Sequence, residues 1–199
     1  MIRKILSLVL AAVLLTGCAA PQNTVSKKRY QASFLTLFDT VTSIVGYAQS
    51  EEEFEKITDE IHDQLETYHQ LFDIYNEYES VNNIKTINDQ AGIAPVEVNP
   101  ILIEFLQDCK EYYEVTGGVV NVAMGSVLSI WHETRNDGMN DPENAKLPDE
   151  TTLKEAAKHC NIEDVIIDEE ASTVYLQDPE MSLDVGAVAK GWATQRVCE

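Results

Sequence analysis

The residues best placed to do chemistry lie in two segments that mix glycines with polar or charged side chains. One runs Ser182-Leu183-Asp184-Val185-Gly186-Ala187-Val188-Ala189-Lys190-Gly191-Trp192. Its first half reads as an extended stretch that delivers Asp184 to a turn. Gly186 opens that turn, and a helix follows with Lys190 in its first turn. Free N–H groups at a helix start, with a lysine beside them, suit a phosphate. The pattern is neither a Walker A loop nor a dinucleotide Gly-x-Gly-x-x-Gly fingerprint. The other segment runs Thr116-Gly117-Gly118-Val119-Val120-Asn121-Val122-Ala123-Met124-Gly125-Ser126, then Ile130-Trp131. A glycine pair ends a helix, and Gly125 follows closely, so the backbone permits close approach of a ligand. As pattern alone, a helix end followed by a helix start accounts for the same residues.

Other residue types exclude some chemistries. His62, His69, His132 and His159 show no ligand spacing, so they read as surface or structural, with no zinc site. Cys109, Cys160 and Cys198 are widely spaced and form no Cys-x-x-Cys pair. Cys109 and Cys160 fall on apolar faces of expected helices and read as buried structural thiols; whether they pair is not legible from sequence. The formal net charge is -20, with 34 acidic residues against 14 basic ones. So acidic a surface repels phosphate backbones, and nucleic acid is excluded as a partner.

The N-terminus carries an address. Arg3 and Lys4 precede an apolar run from Ile5 to Leu15, which is too short to span a bilayer and fits the core of a cleavable signal peptide. The run ends in Leu15-Thr16-Gly17-Cys18, which resembles the lipobox of bacterial lipoproteins. That resemblance implies a signal peptide over 1–17, a lipid on Cys18, a small, polar tether over 18–29, and an anchored position on the extracytoplasmic face of the cell membrane. Residues 30–199 are then enough for one domain with a real core. A solute-binding lipoprotein would need two lobes and a linker, and the sequence after 28 offers neither.

The elements that must position the two segments read as follows. Tyr30 to Ala48 is rich in β-branched and aromatic residues and gives one long or two short strands. Ser50 and Glu53 form a capping box, and Phe54, Ile57, Ile61, Leu65, Tyr68 and Phe72 keep helical spacing to about residue 73. A loop follows to Glu97, with a helical turn near Val81–Ile87. Asn99 and Pro100 start a helix that ends at Gly117-Gly118. A short helix is expected at Ala123–Trp131, a polar loop at His132–Pro148 and a helix from Asp149 to Cys160. Val165–Ile167 and Thr173–Leu176 read as a hairpin, Met181–Val185 as a third strand, and Ala187 onward as a helix. The fold class is α+β, with mixed or antiparallel strands and flanking helices.

Five blocks, in order, carry a family resemblance: Phe38-Asp39-Thr40, Asp73-Ile74-Tyr75, Asn83 to Asn88, Gly117 to Trp131 and Leu183 to Gly191. They resemble the FAD:protein FMN transferase (ApbE) family over about residues 34–199. The stretch Val-Asn-Val-Ala-Met-Gly-Ser-Val-Leu-Ser-Ile-Trp-His looks like the form found in Gram-positive members. The resemblance implies an activity that splits the FAD pyrophosphate and moves FMN onto a threonine or serine hydroxyl of an acceptor flavoprotein. AMP leaves, and Mg2+ is required. It implies Phe38, Tyr75, Val119, Val120, Asn121, Asp184 and Lys190 as contacts to FAD, and the backbone oxygen of Ala187 as a magnesium ligand. Asn121 departs from the aspartate of most members, which removes a charge but keeps a hydrogen-bonding side chain. The family pattern continues with a glycine-rich strand, a His-x-x-Asp-Pro-like segment and an Asp with a Thr four residues on, none of which can be assigned here. The chain therefore looks like the N-terminal part of such a domain, with the catalytic residues elsewhere. By itself it is expected to bind FAD weakly or not at all and to transfer no FMN.

Overall fold

The computed structural model describes residues 26–199. The signal peptide, Cys18 and most of the tether lie outside the described residues. No described helix is long and apolar enough to cross a membrane.

Strands β1 (Lys28–Phe34) and β2 (Thr42–Ala48) form an antiparallel hairpin in which Lys28 faces Ala48 and Phe34 faces Thr42. The first strand thus begins at Lys28, two residues inside the expected tether. Helix α1 (Glu51–Phe72) packs beneath it, capped by Ser50, whose hydroxyl accepts the Glu53 N–H at 3.2 Å. Helix α2 (Ile84–Asp89) is a single short piece started by Asn83. A two-residue strand β3 (Val96–Glu97), not expected from the sequence, leads into α3 (Pro100–Val115). Gly117 and Gly118 then take φ values of 63° and 85°, the left-handed conformation that ends a helix most cheaply with glycine.

Helix α4 (Gly125–Asn140) corrects the expectation of a short helix and a long polar loop. The apolar period fades after Trp131 and Asn136-Asp137-Gly138 reads as a stop, yet the helix runs through these residues, which have no apolar face of their own, and ends at Asn140 before Asp141-Pro142. Helix α5 (Glu150–Ala156) is capped by Asp149 and ends in a 3-10 turn short of Cys160. Strands β4 (Val165–Asp168) and β5 (Thr173–Leu176) form the expected hairpin, and β3 adds to β5, giving an antiparallel sheet in the order β3-β5-β4. Helix α6 (Ala189–Cys198) starts two residues later than expected. The architecture is α+β, as the sequence implied.

The segment 181–185 is extended but joins no ladder, which corrects the expected third strand. Met181, Leu183 and Val185 are buried while Ser182 and Asp184 face the other way, so the period-two pattern is real. Its backbone partners come from elsewhere. The Asn88 amide accepts the Leu183 N–H at 2.7 Å and donates to the Leu183 carbonyl at 3.0 Å. The Asp184 N–H donates to the Val122 carbonyl, and the Gly125 N–H to the Ser182 carbonyl.

One core unites these parts. Phe72 and Phe105 stack at 4.2 Å between centroids, and Trp192 meets both edge-on at 5.6 and 5.4 Å. The Trp192 indole N–H donates to Asp108 at 2.7 Å, and Arg196 lies over the same ring. Helix α6, which carries Lys190, is thereby fixed against α1 and α3. Asn83 is fully buried and uses its whole amide. Its oxygen accepts from the Thr86 N–H and hydroxyl, and its nitrogen donates to the carbonyls of Gln70 and Asn76. The Cys109 thiol is buried, and burial together with the Asp108 charge pushes its pKa up to about 12, so it is unreactive. Cys109, Cys160 and Cys198 are all free thiols.

The turn before the extended segment carries a pH-dependent clasp. His159 Nδ1 lies 2.7 Å from Asp178 Oδ2, and its Nε2 lies 2.9 Å from Glu180 Oε2. The hydrogen bond to Asp178 raises the His159 pKa against the effect of burial, and both carboxylate charges add to it. Burial pushes the Asp178 pKa upward, but hydrogen bonds from the Glu180 N–H and His159, with the His159 charge, hold it below its ordinary value. A raised histidine stabilises fully below its unfolded value of 6.5 and loses that contribution as pH rises through the folded value. A depressed aspartate stabilises fully above 3.8 and loses that contribution as pH falls through the folded value. The clasp is therefore strongest between 3.8 and 6.5. Urea midpoints of the unaltered chain and His159→Gln should differ most between 3.8 and 6.5 and converge as pH rises through the raised His159 value. A difference that grows with pH would contradict this assignment.

Candidate functional site

Four of the sequence-predicted contacts, Phe38, Tyr75, Asp184 and Lys190, line one cavity of about 430 Å3. Each comes from a different element. Phe38 and Asp39 sit in the β1–β2 loop, and His69 and Phe72 in the last turn of α1. Asp73, Ile74, Tyr75 and Asn76 follow that helix, and His132 and Arg135 lie one turn apart on α4. Asp184, Val185 and Gly186 come from the extended segment and its turn, and Ala189 and Lys190 from the start of α6.

Hydrogen bonds fix two of the three acidic groups of this cavity, Asp73 and Asp184. Asp73 Oδ1 accepts the N–H groups of Tyr75 (2.7 Å) and Asn76 (3.0 Å), while Oδ2 accepts from the Asn76 amide (2.9 Å) and the Tyr78 hydroxyl (2.7 Å). Burial raises the Asp73 pKa, but these four bonds together outweigh it and hold the carboxyl below its ordinary value. Burial, the bond to Asp73 and the Asp73 charge push Tyr78 up to about 12, so its hydroxyl stays protonated and donating. Asp184 Oδ1 accepts the Gly186 N–H at 3.0 Å, and Oδ2 lies 3.1 Å from His132 Nε2. His132 thus ties α4 to the turn that presents Lys190.

The positive groups are Arg135 and Lys190. Among the described residues neither takes part in an ion pair. Helix α6 also has no side-chain N-cap; its Val188 and Ala189 N–H groups donate to the Val185 carbonyl, which leaves the N–H groups further along its first turn for an anionic group. Tyr75 is 60% exposed at the rim, with its ring 6.4 Å from that of His132 and nearly perpendicular to it. Partial burial and then the Asp184 charge raise its pKa, and Arg135 opposes them.

The loop residues Phe38 and Asp39 are strained. Their φ values of 55° and 50° put two consecutive non-glycine residues in the left-handed region. Such a conformation costs on the order of 1–2 kcal/mol per residue and tends to cluster at functional sites.

Not every expected contact gathers here. Val119 is 82% exposed, and Val119, Val120 and Asn121 lie outside the cavity lining. Both ends of the Asn121 amide serve the fold: its oxygen caps the Ala123 N–H and its nitrogen donates to the Cys160 carbonyl. Ala187 is exposed on the turn and does not line the cavity, although Gly186 and Ala189 beside it do. In return, the cavity contains His69, His132 and Arg135, which sequence reasoning did not select. Carrying the helical period past Trp131 would have placed His132 and Arg135 on one face of α4.

Magnesium is ordinarily held by one or two carboxylates plus substrate phosphates. Ala187 offers one neutral oxygen, Asp73 and Asp184 are already engaged, and Asp39 supplies a single carboxylate that belongs to no group of three ligand atoms among the described residues. Among the described residues one group alone brings three acidic or imidazole ligand atoms within 4.8 Å of one another: His62, Asp63 and Glu66, partly exposed on α1 and outside the cavity. The described residues do not by themselves fit a magnesium ion.

The order of elements and the composition of this cavity define a mixed α+β domain with a polar, aromatic-rimmed cavity. The model of the ApbE family matches residues 38–199, and the chain belongs to that family. It is 32% identical over 152 residues to the FAD:protein FMN transferase of Treponema pallidum, a match covering 70% of this chain and 39% of that protein. It is 30% identical over 132 residues to the enzyme of the same name from Klebsiella pneumoniae, covering 64% of this chain and 40% of the relative. Among solved structures, the ApbE protein of Thermotoga maritima superposes with a TM-score of 0.69 at 24% identity, over 85% of this chain and 51% of its own. The flavin transferase ApbE of Vibrio cholerae gives 0.69 at 17% identity, over 86% and 52%. At these identities the structural likeness establishes the fold. The chain spans about two fifths of the length of those two relatives and about half that of the solved structures.

Proposed function

We propose that this chain supplies the FAD-binding face of an FAD:protein FMN transferase. The observation that carries the reading is the convergence of Phe38, Tyr75, Asp184 and Lys190, far apart in sequence, on one cavity. The names of the relatives, which describe transfer of FMN from FAD to protein, support it. In this reaction a threonine or serine hydroxyl of an acceptor protein attacks the FMN phosphorus. The P–O bond to the AMP phosphate breaks, AMP leaves, and the hydroxyl proton goes to solvent or a base. Catalysis of this kind rests on positioning and charge neutralisation. Lys190 and Arg135 offset phosphate charge, the open start of α6 adds N–H donors, and Tyr75 and Phe38 give aromatic flanks for a ring. Asp184 keeps the turn in shape through its bonds to Gly186 and His132. Magnesium dependence, implied by the resemblance, needs donors beyond the described residues, and no step of this reading passes through a metal.

The test is flavin fluorescence during titration with FAD up to millimolar concentration. The unaltered chain should bind FAD measurably, and Lys190→Ala and Asp184→Ala should each weaken binding by about 1.5–3 kcal/mol. Unchanged affinity in both folded variants would remove this turn from the site. The lipid anchor and the extracytoplasmic location belong to the same proposal, and the Leu-Thr-Gly-Cys box supports them. Cys18→Ala should release the protein from the membrane fraction; equal membrane recovery of the variant would show that lipid on Cys18 is not the tether.

A further inference from the structure

The strained loop at the cavity mouth needs something to hold it. Phe38 and Asp39 are the only consecutive non-glycine residues with positive φ among the described residues, and both line the cavity. A bulky residue keeps such a conformation only where its surroundings over-determine it. Leu37 is buried, and the Thr40 N–H donates to the Leu37 carbonyl, but these contacts fix the ends of the turn and leave the Phe38 amide unheld.

His69 takes that amide. The Phe38 N–H donates to His69 Nδ1 at 3.3 Å, and the Phe38 ring lies edge-on to the imidazole at 5.4 Å and 70°. An accepting Nδ1 assigns the ring proton to Nε2. Nε2 faces the Tyr78 oxygen at 3.4 Å, and the Tyr78 hydroxyl donates onward to Asp73 Oδ2 at 2.7 Å. Asp73 is itself buried and pinned by Tyr75 and Asn76. A polar line therefore runs from a fixed carboxylate, through one tyrosine and one tautomer of one histidine, to the strained turn. The donor and acceptor roles along it agree at every link.

We infer that His69 is a positioning residue, whose Nδ1 clasps the Phe38 amide and holds the Phe38–Asp39 turn in the shape that receives FAD. The inference rests on the flavin reading given above. His69 acts through Phe38, and no contact between His69 and the substrate is invoked. Its side-chain requirements are specific. Asparagine can place an acceptor oxygen near the position of Nδ1. Glutamine reaches toward Nε2 instead. Phenylalanine keeps the ring contact and offers no acceptor.

The experiment compares the full chain with His69→Asn, His69→Gln and His69→Phe. Hydrogen exchange of the Phe38 amide is read by NMR, and FAD affinity by flavin fluorescence. His69→Phe and His69→Gln should speed Phe38 exchange at least about tenfold and weaken FAD binding by about the same factor, and His69→Asn should restore both. Such rescue separates an acceptor role from simple filling of space. Unchanged Phe38 exchange in His69→Phe overturns the clasp. A released Phe38 amide with undiminished FAD affinity overturns the positioning role, as does His69→Asn behaving like His69→Phe. A chain that does not bind FAD at all overturns the flavin reading and the positioning role together, whereas equal binding by the unaltered chain and His69→Phe overturns the positioning role alone.

Discussion

Replacing Asn83 with alanine is expected to cost about 3–4 kcal/mol of stability, among the largest effects of any single change in this chain. Asn83 is completely buried and starts α2 with a capping box. Loss of the cap accounts for about 1 kcal/mol. The remainder comes from the carbonyls of Gln70 and Asn76, which lose the amide donor that bridges them. Asn83→Asp is the informative comparison. It keeps an acceptor for the Thr86 N–H but sets a buried negative charge against two carbonyl oxygens, so it should cost at least as much as alanine. Urea unfolding measures both. A cost below about 1 kcal/mol for either variant would mean that this network does not hold the α1–α2 junction. Because Asn76 also fixes Asp73, the damage should reach the cavity wall that carries Tyr75.

The second large effect is expected at Gly125. A Cβ there would lie 2.5 Å from both the carbonyl oxygen and the hydroxyl of Ser182, and 2.7 Å from its carbonyl carbon. Backbone atoms cannot rotate away, so Gly125→Ala must push the start of α4 off the extended segment and weaken the Gly125 N–H bond to Ser182. Overpacking of this kind costs about 1–3 kcal/mol, and the tight backbone contact argues for the upper end. Adding Ser182→Gly removes the hydroxyl clash and leaves the carbonyl clash, so it should rescue only part of the loss. Full rescue would show that the close approach of the two backbones is not what requires glycine.

Much of the fold was legible because local rules and tertiary packing agree. The apolar spacing from Phe54 to Phe72, the Ser50 and Asn99 caps and the glycine pair after α3 each state their element outright. Two elements were misread, each for a physical reason, and the two-residue strand β3 was too short to leave a pattern. Helix α4 outlasts its apolar face, so periodicity stops reporting it at Trp131, and it runs on through Thr134, Asn136, Asp137 and Gly138, residues of low helix propensity that read locally as a loop. The 181–185 segment has the alternation of a strand but is bonded by the side chain of Asn88 and by Val122, partners that a pairing rule does not anticipate. At the site, the blocks that suggested the family also named four of the residues that converge. The histidines escaped because their roles are relational. His69 matters through a backbone amide in a loop far earlier in the chain, and His132 through a carboxylate far later. No local pattern records either pairing.

The Asn88–Leu183 bridge has a bearing on how the molecule comes to be formed. It joins residues 95 positions apart, and Asp184 is the very next residue. Closing so long a loop costs entropy before it returns any contact. The helices and the two hairpins assemble from neighbours and can form early, whereas the wall holding Asp184 and Lys190 has to wait for the two ends of that loop to meet. The cavity wall is then among the late-closing parts of the fold, at a seam with the earlier ones. A ligand spanning the seam would act as a fastener between early and late parts of the chain, stabilising the folded form while losing affinity to the extent that it must first order the seam.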